Sequence, residues 1–171
     1  RVADVLRRLA EDGVSLRYLR EAYESLLAWG AREKDVALLS EYVRIDLGRF
    51  ICHRLVDAQR CLHAVTVDAT LEAQLRDAVQ QGPSGAFIAL PPEVLRSFMA
   101  AAESVLGKLP AGRPAVLLTT LETRRFVRRL LAQRFPQLHV LSYPELPPDV
   151  QITSTGRLVL PGAARLRVAS E

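Results

Sequence analysis

Few residues in this chain have the type and spacing to do chemistry. Cys52, His53, Cys61 and His63 form its one cysteine and histidine cluster. Zinc sites usually draw ligands from C-x₂₋₄-C pairs. Here two ligands are adjacent in sequence and the other two alternate on a strand pattern, so the side chains diverge. The spacing predicts no metal and no cofactor. Cys61 reads as a small buried hydrophobe. Cys52 and His53 read as helix-end residues, where a histidine can hydrogen-bond the last carbonyls. No G-x-S-x-G elbow exists for a nucleophile. Ser142 follows a strand pattern without a matching base, and His139 at a strand start reads as structural. Glu21 and Glu24 pair with Arg17 and Arg20 at helical spacing. No glycine-rich phosphate loop precedes a helix, and Glu122 would repel a phosphate near the LLTT turn. No catalytic residue is assigned.

The sharpest charge feature is Arg124, Arg125, Arg128 and Arg129, extended by Arg134. Residues one turn apart share a helix face, so this run predicts a broad basic surface. A solvated face is one reading. A docking surface for an acidic protein or another subunit is the other. Nucleic acid ranks below protein because no stacking aromatics are interleaved with the arginines.

The elements that position these residues follow from periodicity. Val2, Val5, Leu6 and Leu9 mark a short first helix. Gly13 is suited to stop it, and Ser15 is suited to cap the next. Leu16, Leu19, Tyr23 and Leu26 recur at threes and fours and predict a second helix with that face turned inward. Leu39, Val43, Leu47 and Phe50 predict a third, starting near Asp35 and carrying Gly48 in its interior. A tight charged turn over residues 31–35 makes these two helices antiparallel. From Arg60 the period changes. CLHAVTVDA reads as a strand, Leu71, Leu75 and Val79 as a helix face, and GAFIAL as a short buried strand. Pro92 opens a helix with Leu95, Phe98 or Met99, Ala102 and Leu106 inward. PAVLLTT reads as a strand buried on both faces. Thr119 and Glu122 read as a capping box for a helix burying Phe126 or Val127, Leu130 and Leu131, and LHVLSY as a fourth strand. QITSTGRLVL is a further strand or edge hairpin. The expected fold is a three-helix module over residues 1–56, then a small α/β domain over 60–171 with a mostly four-stranded sheet, flanking helices and a loose tail at 161–171.

Composition agrees with a folded chain: 49% hydrophobic residues and 25% charged, with a net charge of +4. Residues 1–59 carry ten charges of each sign, so the basic excess lies wholly in residues 60–171. Two cysteines make no disulfide framework, which fits a reducing compartment. No run approaches a membrane span, and no secretory signal is visible. The chain opens at Arg1 already inside a helical pattern and reads as a piece of something longer. The first two helices also resemble a helix-turn-helix, which keeps a DNA-binding regulator as an alternative. Backbone-dominated DNA binding needs uncompensated cations, and this region is neutral. An uncharacterised α/β enzyme is a second alternative.

VLRRLAEDGVSLRYLREAYESLLAWGAREKDVALLSEYVRIDLGRFI resembles a segment of the type III export-gate proteins, the flagellar and injectisome export apparatus components. VTVDATLEAQL, IALPPE and PAVLLTTLETRRFVRRLLAQRFPQLHVLSYPEL follow in the family's order, so the resemblance covers roughly residues 2–160. It implies the third and fourth cytoplasmic subdomains of a bacterial inner-membrane protein whose cytoplasmic parts form a homo-oligomeric ring, usually a nonamer. It also implies a non-enzymatic role in substrate export and ordering. The implied partners are other export apparatus proteins, the export ATPase stalk and chaperone–substrate complexes, with no nucleic acid. Gly13, Val14, Ser15, Arg17 and Leu19 match the signature turn. Trp29, Arg32, Lys34 and Asp35 match the helix-joining turn, and Glu41, Val43 and Arg44 the third helix. By that resemblance Arg17, Arg32, Lys34, Asp35, Glu41 and Arg44 are candidates for charge pairs within the module or across a subunit boundary, and Trp29 for a buried anchor. PGAARLRVASE runs past the usual flagellar ending, which favours an injectisome member.

Overall fold

The computed structural model describes residues 1–162. The chain forms two compact units. The first comprises Arg1–Leu62 and Leu141–Thr153, and the second comprises His63–Val140 and the chain from Ser154 onward. Of the tail expected at 161–171, residues 163–171 lie outside the described residues.

The first unit is helical. Helix α1 (Val2–Glu11) buries Val5 and Leu9. Gly13 then takes φ +76°, a left-handed conformation open to glycine. It turns the chain so that the Val14 amide donates to the Leu9 carbonyl. The Ser15 hydroxyl accepts from the Arg17 amide and caps a single 3₁₀ turn, Leu16–Tyr18. Helix α2 (Leu19–Trp29) continues from it. Asp35 caps helix α3 (Val36–Asp46), its carboxylate accepting from the Ala37 and Leu38 amides. Trp29 meets Tyr42 and Ser25 meets Asp46, so α2 and α3 run antiparallel as expected. Val5, Leu9, Val14, Ala22, Leu26, Leu39, Val43 and Leu47 form the core.

Gly48 does not lie inside the third helix. That helix ends at Asp46, and helix α4 (Gly48–His53) begins at the glycine. The cause is a close approach of another backbone. A Cβ built on Gly48 would lie 2.0 Å from the Glu145 carbonyl oxygen. Glu145 closes a 3₁₀ turn, Tyr143–Glu145. Only a residue without a side chain fits there.

The second unit is α/β. Strands β1 (Cys61–Val67), β4 (Val116–Thr119), β5 (His139–Ser142) and β6 (Gln151–Leu158) form a four-stranded parallel sheet in the order β5-β4-β1-β6. Val65 and Leu117 are partners in the β1–β4 register. QITSTGRLVL thus supplies a continuous edge strand. Helix α5 (Ala69–Asp77) is capped by Asp68, whose carboxylate accepts from the Thr70 amide. Helix α6 (Pro92–Leu106) and helix α7 (Leu121–Leu131) contribute Val94, Phe98, Ala102, Leu106, Val127 and Leu131 to the core.

Two expectations in this unit are corrected. GAFIAL does not enter the main sheet. Strand β3 (Gly85–Ile88) pairs antiparallel with β2 (Val79–Gly82) in a separate hairpin. Val79 is therefore a strand residue paired with Ile88. The GPSG turn keeps the two short strands as each other's partners. The Thr119–Glu122 capping box does not form either. Thr119 ends β4, and Thr120 takes the N-cap position without a side-chain cap bond. The Glu72 carboxylate occupies that helix terminus instead. It accepts from the Thr119, Thr120 and Thr123 hydroxyls and, at 3.0 Å, from the Thr120 amide.

Candidate functional site

Helix α2 carries two apolar faces, and the structure buries the less obvious one. Ala22, Ser25 and Leu26 face the core. Leu16, Leu19 and Tyr23, expected inward, are exposed together with Leu27. The physical reason lies in polar and aromatic contacts that fix the helix rotation. The Ser25 hydroxyl and the Trp29 indole N–H both donate to the Asp46 carboxylate, the latter at 2.9 Å. The Trp29 ring stacks on Tyr42 with centroids 4.9 Å apart. Tyr18 stacks on Phe50 at 4.5 Å, with the Arg49 guanidinium on the same ring. These contacts tie one side of α2 to α3 and α4. Four large apolar side chains are left on the outer side of the helix and its entry turn. A contiguous exposed apolar stripe marks an interaction surface more than a scatter of single residues does.

The charged candidates from the sequence fall into two groups. Arg17, Arg32, Lys34 and Asp35 are exposed. Arg17 lies in the turn that carries Leu16, and Asp35 is held as the α3 cap. Glu41 and Arg44 are each 3% exposed and do not belong to the surface. Arg44 donates to Glu145 at 2.8 Å and to Asp12 at 3.4 Å. Of these partners Asp12 lies within residues 1–56, and Glu145 lies beyond them. Glu145 is held on its other oxygen by the amide and hydroxyl of Ser142, both at 2.9 Å. The charge of this carboxylate is therefore fully met, as a buried charge requires.

The basic surface expected on α7 is narrower than the sequence implied. Arg124 is 2% exposed, and its guanidinium donates to the Val140 carbonyl at 3.3 Å. Arg125 is half-buried with its guanidinium 4.8 Å from the Phe126 ring centre. Arg128 is also half-buried, and Arg129 is exposed. Arg134 pairs with Glu103 at 2.7 Å. Arginine stems pack on apolar surface, which helical spacing alone does not reveal.

The cysteines exchange the places read from sequence. Cys52 is the buried one, and Cys61 is only half-buried. The Cys52 thiol donates to the Glu145 carbonyl at 3.7 Å. Burial, with the Glu145 carboxylate adding to it, pushes that thiol up to about 12. It is neutral and inert at ordinary pH. Among the described residues no group of cysteine, histidine or acidic side chains is arranged to hold a metal, and no helix is long and apolar enough to cross a membrane. Sequence reasoning missed Glu72 as an acceptor for three threonines. The TTxxT run was visible, but its partner lies 47 residues upstream of Thr119.

Comparison with known proteins places this arrangement. The FHIPEP family model matches residues 1–151. The protein hrpC2 of Xanthomonas euvesicatoria is 38% identical over 160 residues, covering 94% of this chain and 25% of hrpC2. The nonameric EPEC SctV-C, solved by electron cryomicroscopy, superposes with a TM-score of 0.82 at 32% identity, covering 90% of this chain and 46% of that one. The CdsV protein of Chlamydia pneumoniae, in a structure of the CdsV and CdsO complex, superposes at 0.84 with 34% identity, covering 91% and 46%. The chain thus spans about a quarter of the curated relative and under half of each solved chain. With the signature turn, the antiparallel helix pair and the parallel sheet in family order, the chain belongs to the FHIPEP family, the type III secretion export-gate proteins.

Proposed function

We propose that this chain works in the cytoplasmic part of a type III secretion export gate, as a ring-forming element that performs no reaction of its own. One observation carries the reading: the outer side of α2 and its entry turn present Leu16, Leu19, Tyr23 and Leu27 to solvent while the core of the unit is already complete without them. Such a stripe gains most by meeting another protein surface. That a relative of the same fold is a nonamer supports a second copy as the partner. Arg17, Arg32, Lys34 and Asp35 then serve as the polar rim around the apolar contact, where charges steer and register more than they bind.

The exposed part of the α7 arginine run, Arg129 with the edges of Arg125 and Arg128, is the proposed docking surface for a further export component. Support for a protein partner comes from the relative CdsV, which is solved in a complex with CdsO. Substrate ordering follows from such contacts rather than from chemistry. The buried carboxylates Glu72 and Glu145 are committed to internal donors, which supports a structural role for both. The DNA-binding alternative loses support because the would-be recognition helix shows leucines and tyrosine outward, and Arg20 is paired with Glu24 at 3.1 Å.

The test is electron microscopy and sedimentation of the longer protein containing this chain. The expected result is a closed ring with the helical unit at the contact. Strict monomers at high concentration overturn the reading.

A further inference from the structure

We infer that Arg60 and Asp149 form an ionic latch that decides whether the leading end of β6, Gln151–Thr155, stays docked on β1. The chain enters β1 through a tight turn over residues 57–61. The Arg60 amide donates to the Asp57 carbonyl, and the Asp57 amide donates to the Cys61 carbonyl. The Asp57 carboxylate accepts from the Gln59 and Cys61 amides. Arg60 closes this turn with φ +61°, the one residue other than glycine at positive φ among the described residues. Turns that end in this conformation favour glycine there, because a side chain is strained in it.

The arginine is kept in place by what it holds. Its carbonyl accepts the Gln151 amide at 3.0 Å, the contact that starts the pairing of β6 with β1. Its guanidinium Nε and Nη2 both reach one oxygen of Asp149, at 2.9 and 2.8 Å. Backbone and side chain of one strained residue thus fasten the same end of β6. Asp57, Arg60, Asp149 and Gln151 all belong to the first unit.

The two halves of β6 differ in what else anchors them. Gln151–Thr155 is exposed throughout, with Ile152 at 44%, so no core side chain secures it. Its contact with Cys61, Sγ to the Thr153 hydroxyl at 3.6 Å, is weak. Beyond it, a Cβ on Gly156 would stand 2.9 Å from the Val105 side chain, and Leu158 is buried in the core. Release of the leading end therefore stops at Gly156. The opposing terms at the latch are of similar size. A left-handed arginine costs about as much as a partly exposed ion pair is worth, and the two side chains are 36% and 61% exposed. Glycine at position 60 would hold the turn unconditionally. Arginine makes it depend on Asp149, so screening or a competing charge opens it. Opening bares the strand backbone of Cys61, Leu62 and Gln151–Thr155, a template for an added strand.

The test is hydrogen exchange by mass spectrometry on this chain, following residues 149–155 and 157–160 at low salt and in about 1 M sodium chloride, where charges are screened beyond about 3 Å. The expected result is exchange about fivefold faster over 149–155 at high salt, with 157–160 unchanged. Asp149→Asn reproduces the fast state at low salt and abolishes the salt response. Arg60→Ala, which loses the pair and keeps the strain, opens the end at least as far. Arg60→Gly loses pair and strain together, so it exchanges about fivefold or more slower than Arg60→Ala and ignores salt. An ion pair without strain makes the alanine and glycine variants alike, and that result overturns the inference. A wild-type chain whose exchange over 149–155 ignores salt also overturns it, as does one in which 157–160 exchanges in step.

Discussion

Arg44 and Glu145 stand 101 residues apart in sequence and 2.8 Å apart in the structure, both almost completely buried. This contact binds the returning segment Leu141–Thr153 into the helical unit. Removing one member of a buried pair strands the other charge, at a cost of about 3–5 kcal/mol. Glu145→Ala is expected to lower unfolding stability by that amount, measured by denaturant titration. Arg44→Met with Glu145→Leu is expected to recover most of it. An equal loss in the double variant would show that the pair contributes more than the absence of an uncompensated charge.

Gly48 provides a steric test of the same junction. Its missing Cβ is replaced in space by the Glu145 carbonyl, 2.0 Å from where the Cβ would be. Neither side is a flexible side chain that can move aside. Gly48→Ala is expected to destabilise by about 3 kcal/mol or more, although alanine is the better helix former. A stabilised variant would disprove the close approach.

Leu26 and Leu27 test the rotation of α2. Leu26 is in the core and Leu27 in solvent. Leu26→Ala is expected to cost about 2–5 kcal/mol, and Leu27→Ala under about 0.5 kcal/mol in the monomer. Thermal melts of the two variants at low concentration decide it. Equal costs would mean that the helix face is assigned wrongly.

Cys52 gives a prediction in pH. Its thiol rises from an ordinary 9.0 to about 12 in the fold, mainly through burial. Near pH 8 the native chain should therefore show one thiol, Cys61, reacting rapidly with a disulfide reagent, and Cys52 only on unfolding. Above pH 9.0 the unfolded chain releases the Cys52 proton while the folded chain keeps it. The unfolded state then binds fewer protons, so stability falls as pH rises from there toward 12. In a Cys52→Ala variant this part of the alkaline loss should disappear. An unchanged alkaline slope would refute the buried neutral thiol.

Much of the architecture was legible before any coordinates. Gly13 and Ser15 act at the first turn as their residue types dictate, Asp35 caps α3, and Val116–Thr119 is buried on both faces. The errors share one cause. Val79, Gly48 and the Thr119–Glu122 box were each assigned from sequence neighbours, and each was decided by a distant residue: Ile88, Glu145 and Glu72. A local pattern states what a segment is able to do. A non-local partner chooses among those options.

The candidate site shows the same division. Sequence alone determined that α2 is a helix rich in leucine, that α7 is rich in arginine, and that the motif order resembles that of the type III export-gate proteins. It did not determine which leucines meet water or which arginines are buried. Leu16, Leu19, Tyr23 and Leu26 have good helical spacing, and so do Ala22, Ser25, Leu26 and Trp29. The tertiary structure chose the second set because Asp46 accepts from Ser25 and Trp29 and Tyr42 stacks on the indole. Hydrophobicity sets how much apolar surface a helix must hide; directional hydrogen bonds and ring contacts set which side hides it, and here they leave a leucine-rich side facing outward.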